Sequence, residues 1–392
     1  MSVQLLHCSD MHLDRNFNIA NMTKAQERKE DLNKNFSVAV DYALKNKPDI
    51  FLITGDVFDR VSPGNAARII LTEKVRRLKD AGVAVLMIAG NHDVPKFGGQ
   101  HVAIDVLSSA GLATVFSRSD EFGTSILKVE GKRVCVAGKS YFPQMESANP
   151  LRGHKIPLGG DYNVLMIHGS LQGLNVASSV PEMASQNPFR PEDIKVGLNY
   201  LALGHFHNYF QREHESCRIV NPGSMEKLSW AEMNDDKGFV WAELHGSEVS
   251  TEFIKLETRP MEKYTLHLSK DGDYSPTLCD HLISYIKTRN NPVKIARLYL
   301  QGQITQEQYK ELKINEIVQA TRDAFFHLGL DRTELEVEGF GRVFLGKVEN
   351  PIDAFTKRID QLIARADVSD EKRRELEQVK ELGRRYLEEA RA

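Results

Sequence analysis

Cysteine is scarce in this chain, with four in 392 residues and no CxxC pair among them. Cys8, Cys135, Cys217 and Cys279 lie far apart, which excludes a disulfide framework and a zinc finger. Buried or free thiols in a reducing compartment are expected instead. Long apolar runs are also missing, so no segment reaches membrane-spanning length. A strand pattern begins at Val3, and the N-terminus does not read as a secretory signal. A cytoplasmic location away from any membrane is the expectation. Charge of one sign is lacking too: 51 Lys and Arg against 54 Asp and Glu leave a net charge of −3. That excludes a broadly basic nucleic-acid coat, although bound cations and local basic clusters can still attract phosphate.

What the chain does hold is apolar content, 41% of its residues, enough for a large core and more than one domain. Five short motifs stand out in order: Asp10-Met11-His12, Gly55-Asp56, Gly90-Asn91-His92-Asp93, His168-Gly169 and Gly204-His205-Phe206-His207. Each closely follows an apolar run: Val3 to Cys8, Ile50 to Thr54, Val83 to Ala89, Val164 to Ile167 and Tyr200 to Leu203. Such runs closed by Gly or Asp read as buried strands. Ligands of open α/β sheets bind beyond the carboxyl ends of strands, so Asp, His and Asn side chains converge on one sheet edge.

Mixed imidazole, carboxylate and amide oxygen suits borderline cations such as Mn²⁺, Fe²⁺ or Zn²⁺. Two such cations roughly 3.5–4 Å apart can clamp a phosphoryl group and acidify water. A carboxylate between them offsets their repulsion, and Asp56 is the candidate bridge. His92, flanked by Asn91 and Asp93, is better placed to donate to a phosphate oxygen or leaving group, with Asp93 fixing its orientation. Taken singly, DxH, GD or HG occurs by chance at any strand end, and Gly-Asp is an ordinary turn. The ordered set carries the reading.

The set DxH, GD, GNHD, H and GHxH resembles the calcineurin-like metallophosphoesterase superfamily. That resemblance assigns Asp10, His12 and His207 to one metal and Asn91, His168 and His205 to the other, with Asp56 shared. Gly55-Asp56-Val57-Phe58-Asp59 is similar to the GDxFD form of SbcD-type nucleases, whose eukaryotic relative is the meiotic-recombination-eleven nuclease. Asn221-Pro222-Gly223-Ser224 resembles their PGS turn. His12-Leu13-Asp14 departs from the HLG usual there and looks more like the YhaO-like bacterial branch. Asp59 is expected in a supporting hydrogen bond, and the 221–224 turn in support of the site.

Eight histidines lie outside the motifs: His7, His101, His154, His214, His245, His267, His281 and His327. Surface or satisfied core positions are the expectation for each, with His101, which follows Phe97-Gly98-Gly99, a candidate for a place near the cleft. Arg15, Arg60 and Lys96 follow metal motifs and are candidate phosphate contacts. Cys8 reads as a packing residue.

Helices are expected over Thr23–Lys45, Asn65–Ala81 and His101–Ser109, and alternate with the early strands to build a layered domain. Two hairpins follow, Ser125–Val129 with Arg133–Gly138 and Phe239–Leu244 with Val249–Leu256. They point to a second sheet, and the resemblance implies a four-layer α/β/β/α sandwich over residues 1–258. The polar, proline-containing loop from Gly169 to Lys195 is a candidate substrate-facing segment. A smaller α+β domain is expected over 259–345: strand Tyr264–Leu268, helix Thr277–Arg289, strand Ala296–Leu300, helix Gln306–His327 and strand Glu334–Glu338. By resemblance it caps the site and selects DNA; a dimerisation or structural role is the alternative.

The tail, 346–392, reads as a helical hairpin. Asn350-Pro351 starts its first helix, with Ile352, Phe355, Ile359, Leu362 and Ala366 as a seam. Ser369 starts the second, with Leu376, Val379, Gly383, Tyr386 and Ala390. The helices can zip together, or bind a partner. The resemblance implies an SMC-like ATPase of the SbcC or YhaN type, and a homodimer by analogy. Two functions fit the site. One is a Mn²⁺-dependent DNA nuclease, 3′→5′ exonucleolytic with single-strand endonuclease activity, acting in double-strand break repair. The other is a small-molecule phosphodiesterase or nucleotide pyrophosphatase. The GDVFD form, the second domain and the tail favour the nuclease.

Overall fold

The apolar runs that precede the motifs become strands buried on both faces. The computed structural model describes residues 2–95, 101–117, 121–141, 148–173, 183, 185–339, 341–342, 351–363 and 370–389. Strands β1 (Val3–Cys8), β2 (Ile50–Thr54) and β3 (Ala84–Ile88) pair in parallel, and β4 (Thr114–Val115) ends the sheet. All of β2 is buried, which explains its unbroken apolar run. Strand alternation divides it between two cores, Ile50 and Leu52 to one and Phe51 and Ile53 to the other.

Helices α1 (Met22–Asn46), α2 (Asn65–Asp80) and α3 (Asp105–Ser109) connect these strands. Asn21 caps α1 by accepting from Lys24 N–H at 3.1 Å. Leu32, Phe36, Val40 and Ala43 recur at helical spacing and pack on Phe51 and Ile53. The third helix is shorter than His101–Ser109. The Asp105 carboxylate accepts from Val102 N–H at 3.1 Å and meets His101 Nδ1 at 3.0 Å, which holds residues 101–104 as a turn. His101 is exposed and pairs with Asp105.

A second six-stranded sheet runs β5 (Gly123–Val129), β6 (Lys132–Lys139), β7 (Tyr162–His168), β8 (Tyr200–Gly204), β10 (Cys217–Asn221) and β9 (Phe210–His214). Its inner face, with Val136, Val164 and Ala202, shares a core with Leu5, Leu52 and Ile88 of the first sheet. The hairpin β11 (Gly238–His245) and β12 (Glu248–Lys255) corrects the sequence reading. It extends the first sheet, with β11 antiparallel to β1, and does not join the second. Phe239 serves the helix-side core while Val240, Ala242 and Leu244 serve the inter-sheet core, so both faces need cover. The outer face of the second sheet is covered by Leu151, Ile156, Phe189 and Leu198 from loops. Among the described residues, no α-helix contributes to that fourth layer.

The chain divides into two compact units, Met1–Met261 with Val293–Ile295, and Glu262–Pro292 with Ala296–Ala392. The second has its own core and a four-stranded sheet of β13 (Met261–Ser269), β14 (Asn291–Ile304), β15 (Phe325–Val337) and β16 (Gly341–Arg342). Helix α4 (Leu278–Lys287) begins at the Thr277 cap. The expected helix Gln306–His327 is instead two, α5 (Gln306–Glu311) and α6 (Ile314–Ala320), because the chain leaves the helix at Leu312, which joins the core with Ile317. His327 lies in β15, which starts well before Glu334.

The tail forms α7 (Pro351–Ile363) and α8 (Asp370–Glu389). The Phe355 ring occupies the space where a Cβ at Gly383 would sit, and Lys380 pairs with Asp360 at 2.6 Å. The helices therefore meet at the seam positions Phe355 and Gly383, while Val379 of the expected seam is exposed. Asn350, Ala366, Ser369 and Ala390 lie outside the described residues. Among the described residues, no helix is long and apolar enough to cross a membrane. All four cysteines are free and buried.

Candidate metal centre

The motif residues stand on loops just past strand ends, in conformations that favour glycine. Asp10, His12, Asp56 and His205 have φ of 49°, 45°, 46° and 105°. Each costs of order 1–3 kcal/mol and persists only where its surroundings over-determine it. A backbone ladder supplies that constraint: Asp10 N–H donates to Gly55 O at 3.1 Å, His12 N–H to Asp56 O at 3.0 Å, and Leu13 N–H to Val57 O at 3.0 Å. Gly90 is required by close approach, since a Cβ there would strike the Asp56 carboxylate and come within 2.7 Å of His168 Cε1.

Four histidines converge, each with one ring nitrogen tied to a protein acceptor. His12 Nδ1 meets Asp59 Oδ1 at 3.2 Å and His207 Nδ1 meets Glu232 Oε1 at 3.1 Å. His168 Nδ1 meets Thr54 O at 2.8 Å, and His205 Nε2 meets Met183 O at 2.9 Å. Those acceptors place the ring proton on the tied nitrogen and leave a lone pair on the other. The free nitrogens of His12 and His207 then face each other at 3.2 Å. Those of His168 and His205 face Asn91 Oδ1 at 3.0 and 3.1 Å. Lone pairs so opposed repel unless a cation or proton lies between them.

Asp56 stands between the two groups. Its Oδ2 lies 3.6 Å from His12 Nε2 and 3.5 Å from His168 Nε2, and is buried with no hydrogen-bond partner. Its Oδ1 accepts from His92 N–H at 2.9 Å. Asp10 accepts from His205 N–H at 3.1 Å and from Ser9 Oγ. Asp10, His12 and His207 can jointly hold a cation, as can Asp10, Asp56 and His168. An unpartnered carboxylate oxygen amid opposed lone pairs fits a pair of divalent cations.

Burial works against the Asp56 carboxylate, yet His168 and His12 hold it well below the ordinary carboxylate range. Burial presses His168 down, but Asp56 and Asp10 outweigh it and raise it to about 9. Burial, with His168 adding to it, lowers His205 to about 3. Burial and the Asp56 charge raise Asp93 to about 7, against three backbone N–H groups.

Those N–H groups correct the role read for Asp93. Its carboxylate accepts from Gly90, Phe58 and Val57 at 2.9, 3.0 and 3.1 Å, which ties the GNHD loop to the GDVFD loop. The His92 ring is held by Asp59 O, 3.1 Å from Nδ1, and not by Asp93. His92 packs edge-on to His12, with ring centroids 4.8 Å apart. Asp59 takes the expected supporting position on His12, and Arg15 pairs with it at 2.7 Å. Arg60 donates to Asp14 O at 3.2 Å, and Lys96 lies outside the described residues. In the 221–224 turn, Asn221 Nδ2 donates to Phe206 O and Asn208 O at 2.7 and 2.9 Å, bracing the His207 loop. Of the substrate-facing loop read over Gly169–Lys195, Met183 O reaches the site; residues 174–182 and 184 lie outside the described residues.

Three supporting groups had no signal in the sequence. Thr54 O and Met183 O are backbone atoms, which any residue supplies. Glu232 lies in a polar stretch with Asp235 and Asp236, and nothing in its type singles it out.

Residues 3–209 match the calcineurin-like phosphoesterase family. The uncharacterized metallophosphoesterase YhaO of Bacillus subtilis is 26% identical over 303 residues, 76% of this chain and 71% of that protein. The DNA double-strand break repair protein Mre11 of Saccharolobus solfataricus is 26% identical over 326 residues, 79% and 78% of the two chains. The Mre11 of Thermoplasma acidophilum is 26% identical over 313 residues, 77% and 78% of the two. With its family match covering more than half its length and its ligand groups gathered at the strand ends, the chain belongs to the calcineurin-like phosphoesterases, dimetal hydrolases of phosphoric esters.

Proposed function

We propose that this chain is a Mn²⁺-dependent DNA nuclease that trims ends 3′→5′ and cuts single strands in double-strand break repair. Its proposed partner is an SMC-like ATPase of the SbcC or YhaN type, bound through α7 and α8. The convergence of four singly tied histidines on Asp10, Asp56 and Asn91 supports the metal chemistry. The DNA substrate is supported by the relatives named as double-strand break repair proteins. Their similarity spans 326 residues, more than the 3–209 match can hold, so it runs on past the phosphoesterase region.

In this reading Asp10, His12 and His207 would hold one cation and Asn91, His168 and His205 the other, with Asp56 available to both. Two bound cations supply Lewis-acid polarisation of the phosphodiester and acidify water for attack. His92, with Nδ1 donating to Asp59 O and its ring beside His12 and Asp56, would, when protonated at Nε2, donate to the departing sugar oxygen. Asp93 keeps the loop carrying Asn91 and His92 fixed against Val57 and Phe58. Arg15, held by Asp59, offers a fixed cation to the strand backbone, and Arg60 and Lys96 are the further candidate phosphate contacts.

The test is digestion of 3′-labelled and 5′-labelled duplexes with Mn²⁺, Mg²⁺ or EDTA, with His92→Ala as control. Mn²⁺-dependent shortening from 3′ ends is expected, and about 10²–10⁴-fold less of it in the variant with both metals retained. Hydrolysis of a simple phosphodiester with intact DNA, even beside the ATPase, would instead establish the small-molecule reading.

A further inference from the structure

Behind His207 lies a buried charged group that the proposed chemistry does not use. Glu232, on the 3-10 turn Trp230–Glu232, and Lys237, just before β11, are both fully buried. Glu232 Oε1 accepts from Ser229 Oγ at 2.9 Å and faces His207 Nδ1 at 3.1 Å. Its Oε2 accepts from Lys237 Nζ at 2.8 Å and Leu228 N–H at 3.1 Å. With Ser224 Oγ, 3.2 Å from Oε2, five donors on two oxygens fit a carboxylate and leave no place for an acid proton. Lys237 directs its three ammonium protons to Glu232, to His207 O at 2.8 Å and to Ser224 Oγ at 2.9 Å. A closed ring results, from the His207 imidazole through Glu232 and Lys237 back to the His207 backbone.

The backing of the two histidine pairs also differs. His12 and His207 rest on the carboxylates of Asp59 and Glu232, whereas His168 and His205 rest on the neutral carbonyls of Thr54 and Met183. A charged acceptor makes the stronger hydrogen bond and so holds its ring more firmly. We propose that Glu232, clamped by Lys237, is a positioning residue that fixes the His207 tautomer and ring direction, so that the Asp10–His12–His207 cation depends on it. The inference rests on the dimetal reading and names the residue behind one of its two sites.

The test is calorimetric titration of Mn²⁺ into the EDTA-stripped full chain, with circular dichroism to verify folding. Wild type, His207→Ala, Glu232→Gln and the double variant Glu232→Gln/Lys237→Met are compared. Removing both the Glu232 and Lys237 charges is milder than removing one. Asp235, 3.6 Å from Lys237, loses its cation, but its side chain is partly exposed, so the double variant should fold. Wild type should take two ions; the double variant should bind one unchanged and the other about 10–100-fold more weakly. A folded double variant that binds both ions as wild type does, while His207→Ala has lost one, would overturn the role of Glu232 alone. No Mn²⁺ uptake by wild type would overturn the dimetal reading itself. Nitrogen-15 spectra of the metal-free wild type supply a test independent of any variant: His207 should be protonated at Nδ1, and a ring protonated at Nε2 alone, with Nδ1 bare, would overturn the proposal.

Discussion

His7 shows what a buried titratable side chain costs when it binds no metal. Its Nδ1 meets Tyr200 OH at 3.0 Å and its Nε2 meets Thr54 Oγ1 at 2.9 Å, while Thr54 Oγ1 donates to Leu203 O at 2.8 Å. The Thr54 proton is committed, so His7 donates from Nε2 and accepts at Nδ1, and a neutral ring satisfies every partner. Burial lowers its pKa from 6.5 to about 3. The unfolded chain therefore takes up a proton near pH 6.5 that the folded chain refuses until about pH 3. Stability contributed by this residue is full above 6.5 and falls as pH drops, by about 2–3 kcal/mol between pH 7 and 4.5. In His7→Gln the urea midpoint should fall less over that interval; equal slopes in the two proteins would show that folded His7 accepts the proton. The same scale sets what could be read from sequence. Asp10, His12, Asp56, Asn91, His168, His205 and His207, which the fold gathers into one cluster, offer their donor atoms from side chains that motif reading can single out, whereas the carbonyls that orient His168 and His205 offer no such signal.

At the scale of elements, buried strands were the easiest to read, because burial on both faces writes an unbroken apolar run, as in β2. Sheet membership was harder. Phe239 to Leu244 has the same look whether it pairs with β1 or with a strand of the second sheet, and only the match of two cores settles it. The break between α5 and α6 escaped for a related reason: Leu312 is an ordinary helix former that leaves the helix to reach a core. The tail is the converse case. Gly383 is costly in a helix interior by about 1 kcal/mol relative to Ala. It recurs at a seam position because the Phe355 ring fills the space above it. Gly383→Leu should force α7 and α8 apart, seen as faster protease cleavage in the tail with Mn²⁺ stoichiometry unchanged. Cleavage at the wild-type rate would show that the ring can move aside, and that the seam is not held by this contact.

For the whole molecule, the informative fact is that the charge-rich centre and the second unit draw on separate cores. Asp10 and Asp56 bring two buried carboxyl groups into one cluster with four histidines whose lone pairs oppose one another. Cations that bind only the folded cluster stabilise that unit by mass action, about 2.7 kcal/mol per ion at a hundredfold excess over its Kd. The candidate ligands all lie between Asp10 and His207, within the first unit. Calorimetric scans of the full chain in EDTA and in Mn²⁺ should therefore show one transition rising by about ten degrees or more. The transition of the unit built on Leu282, Leu298 and Phe325 should stay in place. Two transitions rising together would mean that the units unfold as one cooperative body despite their separate cores. If neither moved, the opposed lone pairs would be satisfied by protons, and the cluster would not be a metal centre.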